Sequence, residues 1–250
     1  MLDEKVKLNN YVLDAAYLAL TKLNDYGRHL TLVGAYSIFR QLRSQYVGFD
    51  ENSRVTKDLD FDLYNLSLDE TDYVFFQRAL SSVLGSEYSI EFFPLKQRQR
   101  SVTYTFRVEY RGIQTSRLKI DFSLVNGEKS FDCQPLYMSL ATKLCLSAQL
   151  VDRRLKDKVD LFTILHYLYP KGVKKGELLQ IVKNTKNTLE VDPRWFTEEG
   201  VLLAKRSGKG FNDYSPNDIL NLIAWTRTLL WGLNNKGLSN EAVFYGGNWL

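Results

Sequence analysis

Three carboxylates stand at alternate positions in the run Asp58-Leu-Asp60-Phe-Asp62-Leu-Tyr64. In a β-strand such alternation puts Asp58, Asp60 and Asp62 on one face and Leu59, Phe61 and Leu63 on the other. Like charges that close together repel one another unless something positive sits among them. A hard divalent cation such as Mg²⁺ suits carboxylate oxygens and completes its shell with water and phosphate oxygens. Asp58 and Asp60 are therefore candidate ligands for metal-assisted phosphoryl chemistry. The plain alternative is a solvated strand end, since an isolated Asp-x-Asp matches by chance.

Three surrounding features favour the chemical reading. The run Leu30-Thr-Leu-Val-Gly34 reads as a buried strand closing on a glycine, where a backbone without Cβ can approach a ligand closely. Residues 35–42 read as the start of a helix, whose free N–H groups favour bound phosphate. Downstream, Arg117-Leu-Lys-Ile-Asp121-Phe-Ser123 reads as a strand carrying one more carboxylate at its centre. Strand, glycine turn, helix, Asp-x-Asp strand and a later strand with a lone Asp resembles the layout of polymerase-β-type nucleotidyltransferases.

More narrowly, Arg54-x-Thr56-x-Asp58-Leu-Asp60-Phe resembles the Arg-x-Ser-x-Asp-[Ile/Leu]-Asp-Phe signature of the AbiEii/AbiGii family. That family includes nucleotidyltransferase toxins of abortive-infection and toxin–antitoxin systems. Leu140-Ala-Thr-Lys143, then Arg153-Arg154 and Lys156-Asp157-Lys-Val-Asp160-Leu, are similar to its later Ala-x-Lys and [Arg/Lys]-Asp-x-x-Asp-Leu segments. The resemblance covers about residues 10–165 in order, and departs at the turn, where Gly34-Ala35 replaces the usual Gly-Gly or Gly-Ser.

The resemblance implies transfer of a nucleoside monophosphate from a nucleoside triphosphate (NTP) to an acceptor hydroxyl. Asp58, Asp60 and Asp121 would hold Mg²⁺, two ions in all. Gly34, Ala35, Ser37 and Thr56 would lie along the phosphates, and Lys143 would balance the triphosphate. Either of Asp157 and Asp160 could pair with Lys143 or Arg154, and the sequence does not choose between them. The implied acceptor is the 3′ end of tRNA or another RNA, and the implied protein partner is a cognate antitoxin. An antibiotic-type or protein-modifying nucleotidyltransferase, and a degenerate binding module, are the alternatives. A protein-kinase reading lacks its glycine-rich loop and His-Arg-Asp sequence.

Composition sets the bounds. With 250 residues, 44% of them hydrophobic, the chain can build one large core or two small ones. Its net charge of +4 permits a local nucleic-acid patch but is no footprint of binding by charge alone. The two cysteines, Cys133 and Cys145, read as buried and inert, and the two histidines, His29 and His166, show no zinc spacing. No apolar run is long enough to span a membrane, and the start of the chain lacks a signal peptide's pattern, so a cytoplasmic protein is expected.

The elements that must position these residues follow in order. Hydrophobic spacing predicts helices over residues 5–24 and 73–84, the second closing at Gly85. Strands are expected over 88–93, 102–110 and 114–124, with the basic run of residues 96–100 between the first two as a solvated hairpin loop or, equally, a contact for a nucleic-acid backbone or a triphosphate. From residue 134 the pattern turns helical, over 136–151 behind Pro135, 156–169 and 178–186. Residues 194–214 read as a loop. A last helix over 217–233, capped by Ser215, carries Trp225 and Trp231 as core residues. The fold class is thus α+β: a nucleotidyltransferase catalytic domain with a mixed sheet over 1–130, and a mostly helical domain over 131–250 that contributes Lys143, Asp157 and Asp160.

Overall fold

In a computed structural model the chain is described at residues 2–23, 26–49, 56, 58–68, 72–98, 100–150, 155–206 and 214–250. It divides into two compact units, Met1–Gln134 and Pro135–Leu250. Arg54, Arg153 and Arg154, named above on resemblance, lie outside the described residues.

The first unit is a sheet with helices. Its elements are α1 (Leu2–Lys22), β1 (Leu30–Val33), α2 (Gly34–Gln45), β2 (Asp58–Tyr64), α3 (Tyr73–Leu84), β3 (Tyr88–Arg98), β4 (Ser101–Tyr110) and β5 (Ile113–Val125). The five strands lie in the order β1-β2-β5-β4-β3. Every neighbouring pair is antiparallel except β2 and β5, which run parallel. The sheet is therefore mixed, and its parallel pair is the one that carries the acidic residues.

Strict alternation sorts the two faces. Along β2, Leu59, Phe61 and Leu63 are buried while Asp58, Asp60, Asp62 and Tyr64 keep some exposure. Along β4, Val102, Tyr104, Phe106 and Val108 are fully buried. These residues join Ile120 and Phe122 of β5, Phe76 and Leu80 of α3, and Val12, Leu13 and Ala16 of α1 in one core. Aromatic rings knit it together: Phe122 stands 5.7 Å from Phe61 and 5.5 Å from Phe76, and Phe76 meets Tyr104 edge-on at 5.3 Å. Such ring pairs add to the burial of their area. With one face given over to this core, a one-residue slip of β2 would bury its carboxylates, so the register is strongly specified.

Two further sets of contacts tie this unit together. The outer side of β1 is covered, because Leu32 donates its N–H to the Asp132 carbonyl at 2.9 Å and its carbonyl accepts from Gln134 at 2.8 Å. An edge strand paired in this way offers no template to another chain. Asp14 of α1 accepts two hydrogen bonds from the Arg43 guanidinium of α2, at 2.7 and 2.8 Å, and one from the Tyr36 hydroxyl. Burial and the Asp14 carboxylate together push the Tyr36 hydroxyl far above its ordinary value.

The second unit is mostly helical: α4 (Leu136–Ala148), α5 (Leu155–Leu168), β6 (Val173–Lys174), α6 (Lys175–Asn184), α7 (Glu198–Arg206), α8 (Pro216–Asn234), β7 (Val243–Tyr245) and β8 (Asn248–Trp249). The last helix carries the expected cap: Ser215 and Asp218 form a reciprocal capping box, with Pro216 in the first turn. Among the described residues no helix is long and apolar enough to cross a membrane.

Three expectations are corrected. The basic run does not begin a loop at residue 96: β3 continues to Arg98 and pairs with Ser101, after a register shift between Phe93 and Lys96. Pro94 falls at that shift, where a residue without an N–H interrupts the ladder of an edge strand and the pairing resumes beyond it. The expected loop over 194–214 holds α7, a short helix with acidic residues in its first turn and basic residues in its last, which suits the helix dipole. Trp231 is not core: it is 49% exposed.

Candidate functional site

The open face of the first unit gathers the acidic residues by strand register. Asp60 on β2 stands directly beside Asp121 on β5, and beside Val33 on its other flank. Asp58 stands beside Lys119, and Asp62 beside Ser123. Because β2 and β5 are parallel neighbours and all these positions share one parity, their side chains rise from the same face. Burial holds the Asp62 carboxyl above the usual carboxylate range.

Gly34 explains how Asp60 fits. Its φ is +71°, and a Cβ there would lie 2.3 Å from the Asp60 Oδ2. The turn from β1 into α2 thus needs glycine twice over, for its backbone angle and for the carboxylate against it. Ala35 falls inside α2 and has no positive φ, so the departure from Gly-Gly at this turn meets no backbone demand. The first turn of α2 has no side-chain cap.

Two residues on this face were not singled out in the sequence. Lys119 forms an ion pair with Asp121 Oδ2, and Thr103 of β4 donates its hydroxyl to Asp121 Oδ1. Burial works against the charged Lys119 amine. The hydrogen bond to Asp121 and the charges of Asp121, Asp58 and Asp60 outweigh it, raising the amine above its ordinary value. The signal for Lys119 was present: two residues before Asp121 on a strand is the same face. The signal for Thr103 was absent, because the pairing of Thr103 with Asp121 exists only once β4 folds onto β5.

Other expected residues are placed differently. Ser37 has no exposed surface. Its hydroxyl is enclosed by the Gln134 carbonyl at 3.3 Å, the Gln41 amide at 3.2 Å and the Cys133 thiol at 3.2 Å. The hydroxyl therefore serves the packing of α2 and is not offered to a ligand. Thr56 is buried and its carbonyl accepts from the Asn9 amide at 2.7 Å. Both cysteines are free and half-buried, and burial pushes both thiols up.

In the second unit the Lys143 ammonium of α4 bridges Asp157 at 2.7 Å and Asp160 at 2.8 Å, both on α5. All three are buried. The spacing of three on α5 puts the two carboxylates on one side of the helix, and the lysine answers both of them. Beside them Lys158 lies 5.2 Å over the Trp195 ring.

As a donor set, Asp58, Asp60 and Asp121 suit a hard cation: oxygen ligands on adjacent strands, on one open face, with a glycine turn at Asp60. In the arrangement described, a lysine ammonium is drawn in among them instead. Among the described residues no three acidic, histidine or cysteine side chains converge on one point closely enough to hold a metal.

No family model matches the chain, and no curated protein matches it in sequence. Among solved structures the chain is similar to MenT4, a nucleotidyltransferase toxin from Mycobacterium tuberculosis H37Rv, at 14% identity over 93% of this chain and 85% of that one, with a TM-score of 0.45.

Proposed function

We propose that the chain is a nucleotidyltransferase that moves a nucleoside monophosphate from an NTP to an acceptor hydroxyl. The acceptor is the 3′ end of tRNA, and the setting is a toxin–antitoxin or abortive-infection system with an antitoxin as partner. The observation that carries the chemical part is the register of Asp60 beside Asp121, with Gly34 at the head of α2 leaving room for the Asp60 carboxylate. The acceptor, the toxin role and the antitoxin rest on the resemblance of the Asp58-Leu-Asp60 and Lys143 to Asp160 segments to the AbiEii/AbiGii family.

In this reading Asp58, Asp60 and Asp121 would hold Mg²⁺, which would supply charge neutralisation at the entering and leaving oxygens. The N–H groups of the first turn of α2 receive phosphate, aided by the helix dipole. Asp121, beside Asp60 on the open face, would hold the metal on the acceptor side or help take the proton of the attacking hydroxyl. Lys143 is the counter-charge for the triphosphate, and to act so its ammonium exchanges one of its two carboxylates for a phosphate oxygen. Positioning and charge do the rest, because phosphoryl transfer asks little covalent chemistry of the protein.

The test is incubation of the purified chain with Mg²⁺, each labelled NTP in turn and total bacterial RNA, beside an Asp58→Ala, Asp60→Ala double variant. Label on tRNA-sized RNA only with the carboxylates intact is the expected result, and it also names the preferred nucleotide. Metal-dependent nucleotide binding without label on RNA would discard the tRNA acceptor. Absence of that binding would discard the enzyme.

A further inference from the structure

Both oxygens of Asp121 are engaged by the chain's own donors. Thr103 donates to one, and the Lys119 ammonium pairs with the other. Lys119 reaches it because it stands two residues earlier on β5, and the register of β5 on β2 sets it directly beside Asp58. The side chain of Lys119 is 41% exposed, so its flexible stem has open space into which to withdraw. The ammonium therefore occupies the Asp121 oxygen that the proposed cation needs, on the face that Asp58 and Asp60 share. A charge of +1 and a charge of +2 within a few ångströms of each other repel strongly, and they compete for the same carboxylate oxygen.

We infer that Lys119 is a resident counter-ion of this site: its ammonium and a divalent cation exclude one another at Asp121, so Lys119 sets how tightly the site takes metal. The inference rests on the reading of Asp58, Asp60 and Asp121 as metal ligands. Without metal, Lys119 offsets the repulsion of three closely spaced carboxylates and keeps the open face folded. When metal enters, the ammonium leaves Asp121 and becomes free to meet an anionic substrate group. Lys119 is thus a positioning residue, acting through Asp121.

The experiment titrates Mn²⁺ into the full chain without nucleotide and follows free Mn²⁺ by its paramagnetic resonance signal. Wild type is compared with Lys119→Met, Lys119→Gln, Lys119→Arg and Asp60→Asn, each first checked for native circular dichroism. Binding by wild type that is lost in Asp60→Asn is expected. Lys119→Met and Lys119→Gln bind Mn²⁺ at least about tenfold more tightly, as removal of a close unit charge at a partly exposed site demands, and Lys119→Arg stays near wild type. A lysine that merely supported the fold would weaken binding when removed, so tightening is the diagnostic sign. If both neutral variants bind no more tightly while wild-type binding still depends on Asp60, the exchange is overturned and the metal-ligand reading stands. If no form binds Mn²⁺ through Asp60, Lys119→Met included, the ligand reading falls and this inference falls with it.

Discussion

Replacing Gly34 by alanine sets a methyl group 2.3 Å from the Asp60 Oδ2, on a backbone held at a φ of +71°. A side chain in that conformation costs about 1–3 kcal/mol, and the clash also turns the Asp60 carboxylate. Gly34→Ala is therefore expected to lower stability by that amount in urea unfolding and, separately, to remove Mn²⁺ binding from the fraction that stays folded. Full Mn²⁺ affinity in the folded variant would show that the position of Asp60 does not depend on this turn. Lys143 makes a contrasting case. Its ammonium lies 2.7 Å from Asp157 and 2.8 Å from Asp160, so Lys143→Met takes a positive charge away from two buried carboxylates. Losing one partner from a buried charge cluster costs about 3–5 kcal/mol. Guanidinium unfolding reads the loss, and a change under about 1 kcal/mol would mean that water already reaches the cluster. Nucleotide binding by the variant that stays folded reads the proposed triphosphate role separately, because a lysine that served only the cluster would leave that binding unchanged.

At the scale of elements, the readable parts of the fold were those whose signal is local. The run 73–84 gave α3 to the residue, because its apolar spacing ends on Gly85, which adopts a φ of +85°. The Asp58 to Tyr64 alternation gave β2, and Ser215 as cap gave the start of α8. What could not be read depends on contacts distant in sequence. The short turn Pro193–Phe196 is an example, since its Trp195 is fully buried and donates to the Ala148 carbonyl at the end of α4. Asp192 caps this turn, accepting from the Arg194 N–H at 2.9 Å. Side-chain hydrogen bonding from Arg194, against a smaller opposing effect of burial, holds the Asp192 carboxyl below the usual range. A carboxyl lowered by folding stabilises above its unfolded value, near 4, and that contribution is lost as pH falls through the folded value. Asp192→Ala is accordingly expected to cost about 1 kcal/mol near neutrality, the usual worth of such a cap. The gap between variant and wild type should close as the pH is taken below that range. Thermal melts at neutral and acid pH check this, and a gap that persists in acid would remove Arg194 as its cause.

For the molecule as a whole, the acidic site was readable in types and spacing, while its electrostatic balance was not. The alternation of Asp58, Asp60 and Asp62 announced a charged strand face, and the expectation was that something positive must sit there. The sequence could not say that Lys119 and Asp121 come to lie beside Asp58 and Asp60, since that follows from the parallel pairing of strands more than 50 residues apart. The same limit governs the basic residues. A net charge of +4 is the balance of 33 Lys and Arg against 29 Asp and Glu, and some of the cations among the described residues stand in ion pairs. Arg43 serves Asp14, Lys143 serves Asp157 and Asp160, Arg111 serves Glu87 and Lys174 serves Glu241. A net charge so near balance gives the chain little overall pull on a nucleic acid. Binding of tRNA to the full chain is therefore expected to weaken only gently with salt. The slope of log K against log salt should correspond to fewer than about five phosphates, at roughly 0.7–0.9 per contact. Fluorescence anisotropy across a salt series measures it. A slope of the size seen for proteins that make about ten phosphate contacts would mean that a local cluster of cations, and not the net balance, governs binding.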